Sequence, residues 1–158
     1  MPELRELLAG VGFDDVRTYL QSGNVMLSSS AAPAEVAREC ERQIAKRFGL
    51  EIDVVVRTRD ELAKIVQRNP LAKVAVNPKR YQVSFLSAEP EPEIVRRLEA
   101  AALAPEQLVV SGRELYAWHP EGIARSKLWA LLVGRKLGVT ATARNWTTVT
   151  NLLAMADD

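Results

Sequence analysis

Apolar residues recur at helical spacing in several separate stretches of the chain. The clearest case is residues 33–48, where Val36, Cys40, Ile44 and Phe48 stand four apart. Pro33 suits the first turn of a helix and Gly49 suits the position just after its end, so this stretch is predicted to be a helix. Similar patterns predict further helices over residues 3–9, 58–66, 92–103, 126–137 and 146–156.

Between these helices lie stretches with the composition or alternation of β-strands. Residues 16–21 and 25–27 flank the turn Ser22-Gly23-Asn24, which predicts a hairpin. Residues 52–56 are rich in β-branched side chains and predict another strand. In the second half, strands are predicted over residues 81–86, 108–110, 115–118 and 139–143.

The order of these elements divides the chain into two similar halves. Asn69-Pro70 and Asn77-Pro78 mark residues 69–79 as a joint between predicted modules at residues 1–68 and 80–158. The second module has the order β-α-β-β-α-β of a split βαβ unit, followed by a trailing helix. The first module has the same order without its opening strand. We therefore predict an α+β protein of two tandem ferredoxin-like α/β-plait modules with a C-terminal helix.

Composition excludes several classes of protein. The chain has 158 residues, of which 47% are hydrophobic and 26% charged, as in ordinary globular domains. Its 21 basic and 20 acidic residues argue against a dedicated nucleic-acid coat. A single cysteine and a single histidine exclude a disulfide framework and a thiolate zinc site, so we expect neither a metal nor a cofactor. Without a membrane-length apolar run or the layout of a signal peptide, a cytoplasmic protein with no membrane partner is expected.

The basic residues are unevenly distributed along the chain. Residues 122–156 contain no acidic side chain but five basic ones, namely Arg125, Lys127, Arg135, Lys136 and Arg144. Two helices are predicted to begin in this stretch, at Ser126 and after the capping residue Asn145. Cations near free helical N–H groups favour a phosphate or carboxylate. We expect Arg125, Lys127 and Arg144 to converge in one anion-binding patch, the alternative being ordinary surface charges.

Other chemically notable residues favour structural interpretations. Tyr116 and Trp118 share one face of a predicted strand and could stack bases if that face were open, but the sequence pattern of RNA-recognition strands is missing. Core packing is therefore favoured. His119 follows that strand with only Glu121 as a nearby acidic partner, so we expect a polar surface residue. Cys40 lies on an apolar helical stripe and is expected to be buried.

Three separated motifs resemble the bacterial family catalogued as domain of unknown function 1697. They are VRTYLQSGNV at residues 16–25, GIARSKL at residues 122–128 and TATARNWTTV at residues 140–149. The resemblance implies two tandem α/β-plait modules and no established activity. Members usually open with a β-strand and a Gly-Ile-Asn-Val-Gly-Gly-like turn, whereas Met1-Pro2-Glu3-Leu4 begins inside the first predicted helix. A site built from that turn is expected to be absent.

The shared motifs suggest where a ligand would bind. They supply backbone groups in a turn, cations, helix caps and a stacking surface. The candidate ligand-binding residues are Ser22, Gly23, Asn24, Arg125, Ser126, Lys127, Arg144, Asn145 and Trp146. A structural alternative exists for several of them, because a turn can require Gly23, a helix can be capped by Asn145 and Trp146 can staple that helix.

These observations favour a non-catalytic module that binds a phosphate-bearing ligand, either a nucleotide or a single-stranded nucleic acid. One alternative is a small enzyme of unknown reaction using Ser22, Asn24, Arg125 and Lys127, which ranks lower because no convincing acid, base or activated nucleophile is evident. Another is a protein-interaction module acting through a sheet edge. Since a missing opening strand leaves strand edges unpaired, a homodimer is also expected.

Overall fold

The computed structural model describes residues 2–19, 23–133 and 137–157. The helices in these ranges are α1 (Pro2–Gly10), α2 (Pro33–Phe48), α3 (Arg59–Arg68), α4 (Pro92–Ala101), α5 (Lys127–Val133) and α6 (Trp146–Ala156), with a short 3-10 helix at Pro78–Arg80. The strands are β1 (Asp14–Tyr19), β2 (Asn24–Ser28), β3 (Tyr81–Leu86), β4 (Gln107–Ser111), β5 (Glu114–Trp118) and β6 (Ala141–Asn145). None of these helices has the length and apolar character needed to cross a membrane.

The second half of the chain forms one four-stranded sheet. Its strand order is β4-β5-β3-β6, and every neighbouring pair is antiparallel. The helix α4 connects β3 to β4, and α5 lies between β5 and β6 along the chain. This arrangement is the split βαβ unit that the order of elements predicts, followed by the trailing helix α6. The α+β fold class is therefore confirmed.

Both faces of this sheet are buried. On one face, Leu86, Leu115 and Ala117 pack with Leu98 of α4 and Leu128 of α5. On the other face, α3 and α6 cover an aromatic cluster that includes Tyr81, Phe85, Tyr116 and Trp118. The preferred interpretation of Tyr116 and Trp118 as core residues is confirmed, and the sheet keeps no open face on which bases could stack.

The first half contains the antiparallel hairpin β1–β2, which pairs Tyr19 with Asn24. Helices α1 and α2 pack against one face of this hairpin around buried Leu8, Val36 and Cys40. The helix α2 has the predicted bounds, because the left-handed backbone of Gly49 ends it with an N–H bond to the Ala45 carbonyl. The predicted hairpin, α2 and the burial of Cys40 are therefore confirmed.

The predicted strand over residues 52–56 does not form. This segment has no regular structure, and its Val54 N–H donates to a Glu41 carboxylate oxygen at 2.8 Å instead of to a strand. In the second half, the corresponding last strand β6 pairs with the opening strand β3. The first half has no strand equivalent to β3 among its described residues, so residues 52–56 lack a neighbour with which to form a ladder. Val54 and Val56 still pack on the apolar cluster under α1 and α2.

Several element ends differ slightly from their predicted positions. The strand β6 begins at Ala141 because Thr140 instead bonds through its N–H to the Ser87 hydroxyl. The helix predicted over residues 126–137 is seen as α5, and residues 134–136 lie outside the described ranges. The helix α3 begins after Thr58, whose hydroxyl and backbone form a reciprocal capping box with Glu61. The joint at residues 69–79 stays a prediction.

Candidate functional site

A cleft of about 550 Å³ lies at the end of the second sheet where β4 begins and β5 ends. Its walls are the loop that follows α4 and the loop that leads into α5. The polar lining residues are Glu106, Glu121, Arg125, Ser126 and Lys127, and the apolar lining includes Leu103, Ala104, Pro105 and Pro120. This volume falls within the range of small-molecule sites in proteins.

A cluster of three hydrogen-bonding side chains stands at the cleft wall. The Ser126 hydroxyl donates to Glu106 Oε2 at 2.6 Å, and His119 Nδ1 lies 2.6 Å from the same oxygen. Because a carboxylate only accepts hydrogen bonds, this geometry assigns the imidazole proton to Nδ1. The His119 side chain is fully buried, whereas Glu106 keeps 15% of its side-chain surface exposed.

The expectation for His119 is wrong, because this residue is not on the surface. Its backbone N–H donates to the Arg80 carbonyl at 2.9 Å, extending the β3–β5 ladder, and its ring lies edge-on to Trp129 at 5.8 Å. Its acidic partner is Glu106 and not the sequence neighbour Glu121. Strand pairing could have revealed this partner, since Glu106 comes just before β4 and His119 comes just after β5, at paired strand ends.

The two residues that flank Ser126 in the sequence are cations, and both line the cleft. The side chains of Arg125 and Lys127 are exposed. Neither forms a hydrogen bond or an ion pair with any residue in the described ranges. Glu106 and Glu121 give the lining an equal number of carboxylates, but the Glu106 carboxylate already accepts bonds from Ser126 and His119. Both of these bonds end on one oxygen of Glu106, Oε2, whereas Arg125 and Lys127 keep all their N–H donors available to a ligand.

Arg144 does not join this patch, so the expected convergence with Arg125 and Lys127 is wrong. On β6 it pairs with Val83 and therefore lies on the sheet face covered by α3 and α6, opposite to the face on which α5 packs. Its Nε donates to the Asn24 side-chain oxygen at 2.7 Å, and its Nη1 donates to the Thr142 hydroxyl at 2.6 Å. Burial lowers the pKa of the Arg144 guanidinium from its ordinary value.

The remaining candidate residues make structural contacts around Arg144 and α6. Asn24 is buried and its side-chain amide donates to the Tyr19 carbonyl, while Gly23 has a positive φ of 80°. Asn145 caps α6 by accepting a bond from the Thr148 N–H at 2.9 Å. Trp146 stacks on Tyr81 with ring centroids 4.8 Å apart. Gly23 and Asn145 thus have the turn and cap roles given as their structural alternatives, whereas Trp146 packs on the core residue Tyr81 and not as a staple within its own helix. The role of these residues in ligand binding stays a prediction.

The site prediction also includes Ser22, which lies outside the described residues. The structure thus separates the candidates into two groups. Arg125, Ser126 and Lys127 line the cleft, whereas Asn24 and Arg144 meet where the first hairpin contacts the second sheet. Sequence separation could not distinguish the groups, because the sheet face that a strand residue occupies depends on the register of its neighbours.

Comparison with known proteins identifies the family. Residues 1–116 match the family described as protein of unknown function, DUF1697. The chain belongs to this DUF1697 family. The matched residues include the first of the three motifs that suggested the resemblance and also Glu106, while Ser126 lies beyond them. No curated protein matches this DUF1697 chain significantly.

The fold of this DUF1697 protein is similar to that of the conserved bacterial protein SP0830 from Streptococcus pneumoniae. The two structures superpose with a TM-score of 0.76, and the match covers 99% of this chain and 88% of the streptococcal one. The sequences are 19% identical over the match, so the likeness concerns the fold. Neither comparison supplies an activity.

Proposed function

We propose that this DUF1697 protein binds a phosphate-bearing small molecule in the cleft between the loops at residues 101–106 and 120–127. The observation that carries the proposal is that Arg125 and Lys127 line the cleft without a partner in the described part of the chain. Guanidinium and ammonium groups form their strongest hydrogen bonds with phosphate and carboxylate oxygens. Ser126 stands between these two residues in the sequence and also lines the cleft, so its hydroxyl can add an uncharged hydrogen bond to the ligand.

The shape of the cleft favours a ligand of nucleotide size over a single-stranded nucleic acid. Leu103, Ala104, Pro105 and Pro120 offer apolar surface to the part of the ligand that carries no charge. Binding of single strands usually relies on exposed aromatic rings. Here Tyr116 and Trp118 are buried in the sheet core, so they are not available for stacking.

The test is a calorimetric titration with inorganic phosphate and with adenosine monophosphate. Arg125→Ala and Lys127→Ala should each weaken binding about tenfold or more, because each removes a charge-assisted hydrogen bond of roughly 1.5–3 kcal/mol. The double variant Arg38→Ala/Lys46→Ala is the matched control, since it removes two exposed cations from α2. Equal affinities in the cleft variants and the control would contradict the proposal.

A second candidate function is association through a sheet edge, and the unpaired segment at residues 52–56 favours it. Its backbone forms no ladder, and Ile52 is 47% exposed. The Val54 N–H and the Val56 carbonyl bond to the side chains of Glu41 and Arg57, and the other backbone groups of two copies of this segment can pair antiparallel about a two-fold axis. Light scattering at tens of micromolar should then report a dimer that Val55→Pro weakens, and a monomer would contradict this candidate.

A further inference from the structure

Ser126 has the hydrogen bonds of an activated hydroxyl. Its proton points to Glu106 Oε2 at 2.6 Å, and one of its lone pairs accepts the Trp129 N–H at 3.0 Å. The second lone pair has no donor at normal hydrogen-bond distance among the described residues, since His119 Nδ1 lies 3.4 Å away and bonds Glu106 more closely. Ser126 is partly exposed and lines the cleft.

We propose that Ser126 is a nucleophile that accepts a phosphoryl group from a phosphate monoester held in the cleft. This inference rests on the proposed binding of a phosphate-bearing ligand and adds a reaction to it. A nucleophile within hydrogen-bond reach of a base, with the base oriented by a third group, is the arrangement that covalent catalysis requires. Ser126, Glu106 and His119 supply these three parts in that order.

The transfer step balances with groups that the site contains. The Ser126 oxygen forms a bond to phosphorus as the bond from phosphorus to the leaving alcohol oxygen breaks. The hydroxyl proton passes to the Glu106 carboxylate, and the leaving oxygen, which departs on the opposite side of phosphorus, takes a proton from a solvent water. The hydroxide formed in this way attacks phosphoserine from that side, the bond from phosphorus to the Ser126 oxygen breaks, and Glu106 returns its proton to the Ser126 oxygen as phosphate is released. The substrate is thereby hydrolysed and Glu106 ends as the carboxylate with which it began.

Arg125 and Lys127 line the same cleft as Ser126, and in this proposal they hold the phosphoryl oxygens during the step. Phosphoryl transfer depends mainly on positioning and on stabilising the charge of the transferred group, and cations supply both. Their charges also offset the repulsion between the incoming phosphate and the carboxylates of Glu106 and Glu121. The apolar wall of the cleft would contact the alcohol portion of the ester.

His119 acts as a positioning residue. Its ring is fully buried and donates through Nδ1 to the same carboxylate oxygen that accepts the Ser126 proton. The Nε2 atom has no hydrogen-bond partner among the described residues, so the Nδ1–H bond to Glu106 is the polar contact that holds the imidazole. The edge-on contact with Trp129 limits rotation of the ring. His119 therefore restrains the base without touching the substrate.

The experiment uses the full chain with p-nitrophenyl phosphate and, separately, acetyl phosphate as phosphoryl donors. Acid quenching followed by mass spectrometry should find one added phosphoryl group on Ser126. Ser126→Asn should abolish the adduct, and it keeps a side chain that can cap α5. Glu106→Gln should slow transfer by about 10²–10⁴-fold, because it keeps the size of the side chain and removes the base. Arg38→Ala/Lys46→Ala should react like the wild type.

The role of His119 is tested by two variants of the same position. His119→Asn keeps an N–H near the position of Nδ1, whereas His119→Leu removes it. We expect His119→Asn to retain markedly more phosphoryl transfer than His119→Leu at temperatures where both are folded. Equal transfer rates in the two variants would overturn the positioning role.

Calorimetry with inorganic phosphate separates failure of this inference from failure of the proposed function. If the wild type binds phosphate but Ser126 gains no phosphoryl group from either donor, the nucleophile is wrong and the binding site stands. If phosphate does not bind, the proposed function fails as well. A phosphoryl group found on another residue, or transfer unchanged in Glu106→Gln, would also overturn the inference.

Discussion

At the scale of single residues, Arg57 connects the two halves of the chain. Its guanidinium bonds Glu114 Oε2 at 3.0 Å and the Leu86 carbonyl at 2.8 Å, and it lies 5.8 Å from the centre of the Phe85 ring. The side chains of Arg57 and Glu114 are only 7% and 11% exposed. A buried ion pair of this kind adds little net stability, but loss of one partner leaves an unpaired buried charge.

Replacing Arg57 should therefore destabilise the protein strongly. We expect Arg57→Ala to lower the free energy of unfolding by about 3–5 kcal/mol, measured by urea denaturation. The double variant Arg57→Ala/Glu114→Gln should recover part of this loss, because it removes the charge that would be left without a partner. A loss below roughly 1 kcal/mol, the range of exposed pairs, would show that the pair is not buried in solution.

Ionisation of the buried tyrosines should make the free energy of unfolding depend on pH in the alkaline range. Burial raises the pKa of Tyr81 from 10 to about 12. Since the unfolded chain ionises first, the free energy of unfolding should fall as pH rises from 10 to 12. Tyr81→Phe should make this fall shallower in urea denaturation across that range. Burial also raises the pKa of Tyr116, so some dependence remains. Identical profiles for wild type and variant would contradict this assignment.

The positions of the candidate site residues were only partly predictable from the sequence, and their role in ligand binding stays a prediction. Arg125, Ser126 and Lys127 do line a common cleft, because neighbours in one loop stay together in any fold. Glu106 was missed and His119 was misplaced, because their contact depends on the pairing of β4 with β5. Arg144 was misplaced because register and twist decide the sheet face on which a strand residue lies.

At the scale of elements, local signals account for the correctly predicted bounds. The helix α2 begins at Pro33 and ends before Gly49, and α6 begins after the capping Asn145, so their ends are encoded by nearby residues. Residues 52–56 have strand composition but form no strand, because a strand needs a partner that the sequence of the segment itself does not provide. Helix ends are local properties, and strand formation is not.

The cap of α6 gives a test at this scale. Asn145→Ala should lower the free energy of unfolding by about 0.5–2 kcal/mol, because the Thr148 N–H loses its acceptor. Asn145→Asp should retain most of the stability. Both variants should bind phosphate as the wild type does, since Asn145 does not line the cleft. Weakened phosphate binding in a folded Asn145 variant would instead show that Asn145 takes part in binding the ligand.

At the scale of the whole molecule, the cleft belongs to the second half alone. It is built from loops at one end of the complete four-stranded sheet, while the first half packs elsewhere through α3 and the hairpin. Polar contacts such as Arg113 with Glu61 and Arg59 with Asp157 link the halves at exposed or partly exposed positions. The net charge of +1 gives no sign of the two cations that line the cleft, so composition alone could not locate an anion site.

The most direct test of the account is an amide NMR titration of the wild-type chain with inorganic phosphate. If the cleft binds the ligand, the largest saturable shifts should fall on Glu106 and on residues 121–127. Asn24 and Arg144, which contact each other where the first hairpin meets the second sheet and do not line the cleft, should stay unchanged. The shifts should disappear in Arg125→Ala/Lys127→Ala and persist in Arg38→Ala/Lys46→Ala. Shifts centred on Asn24 and Arg144, or no saturable shift at all, would contradict the assignment of the binding site to the cleft.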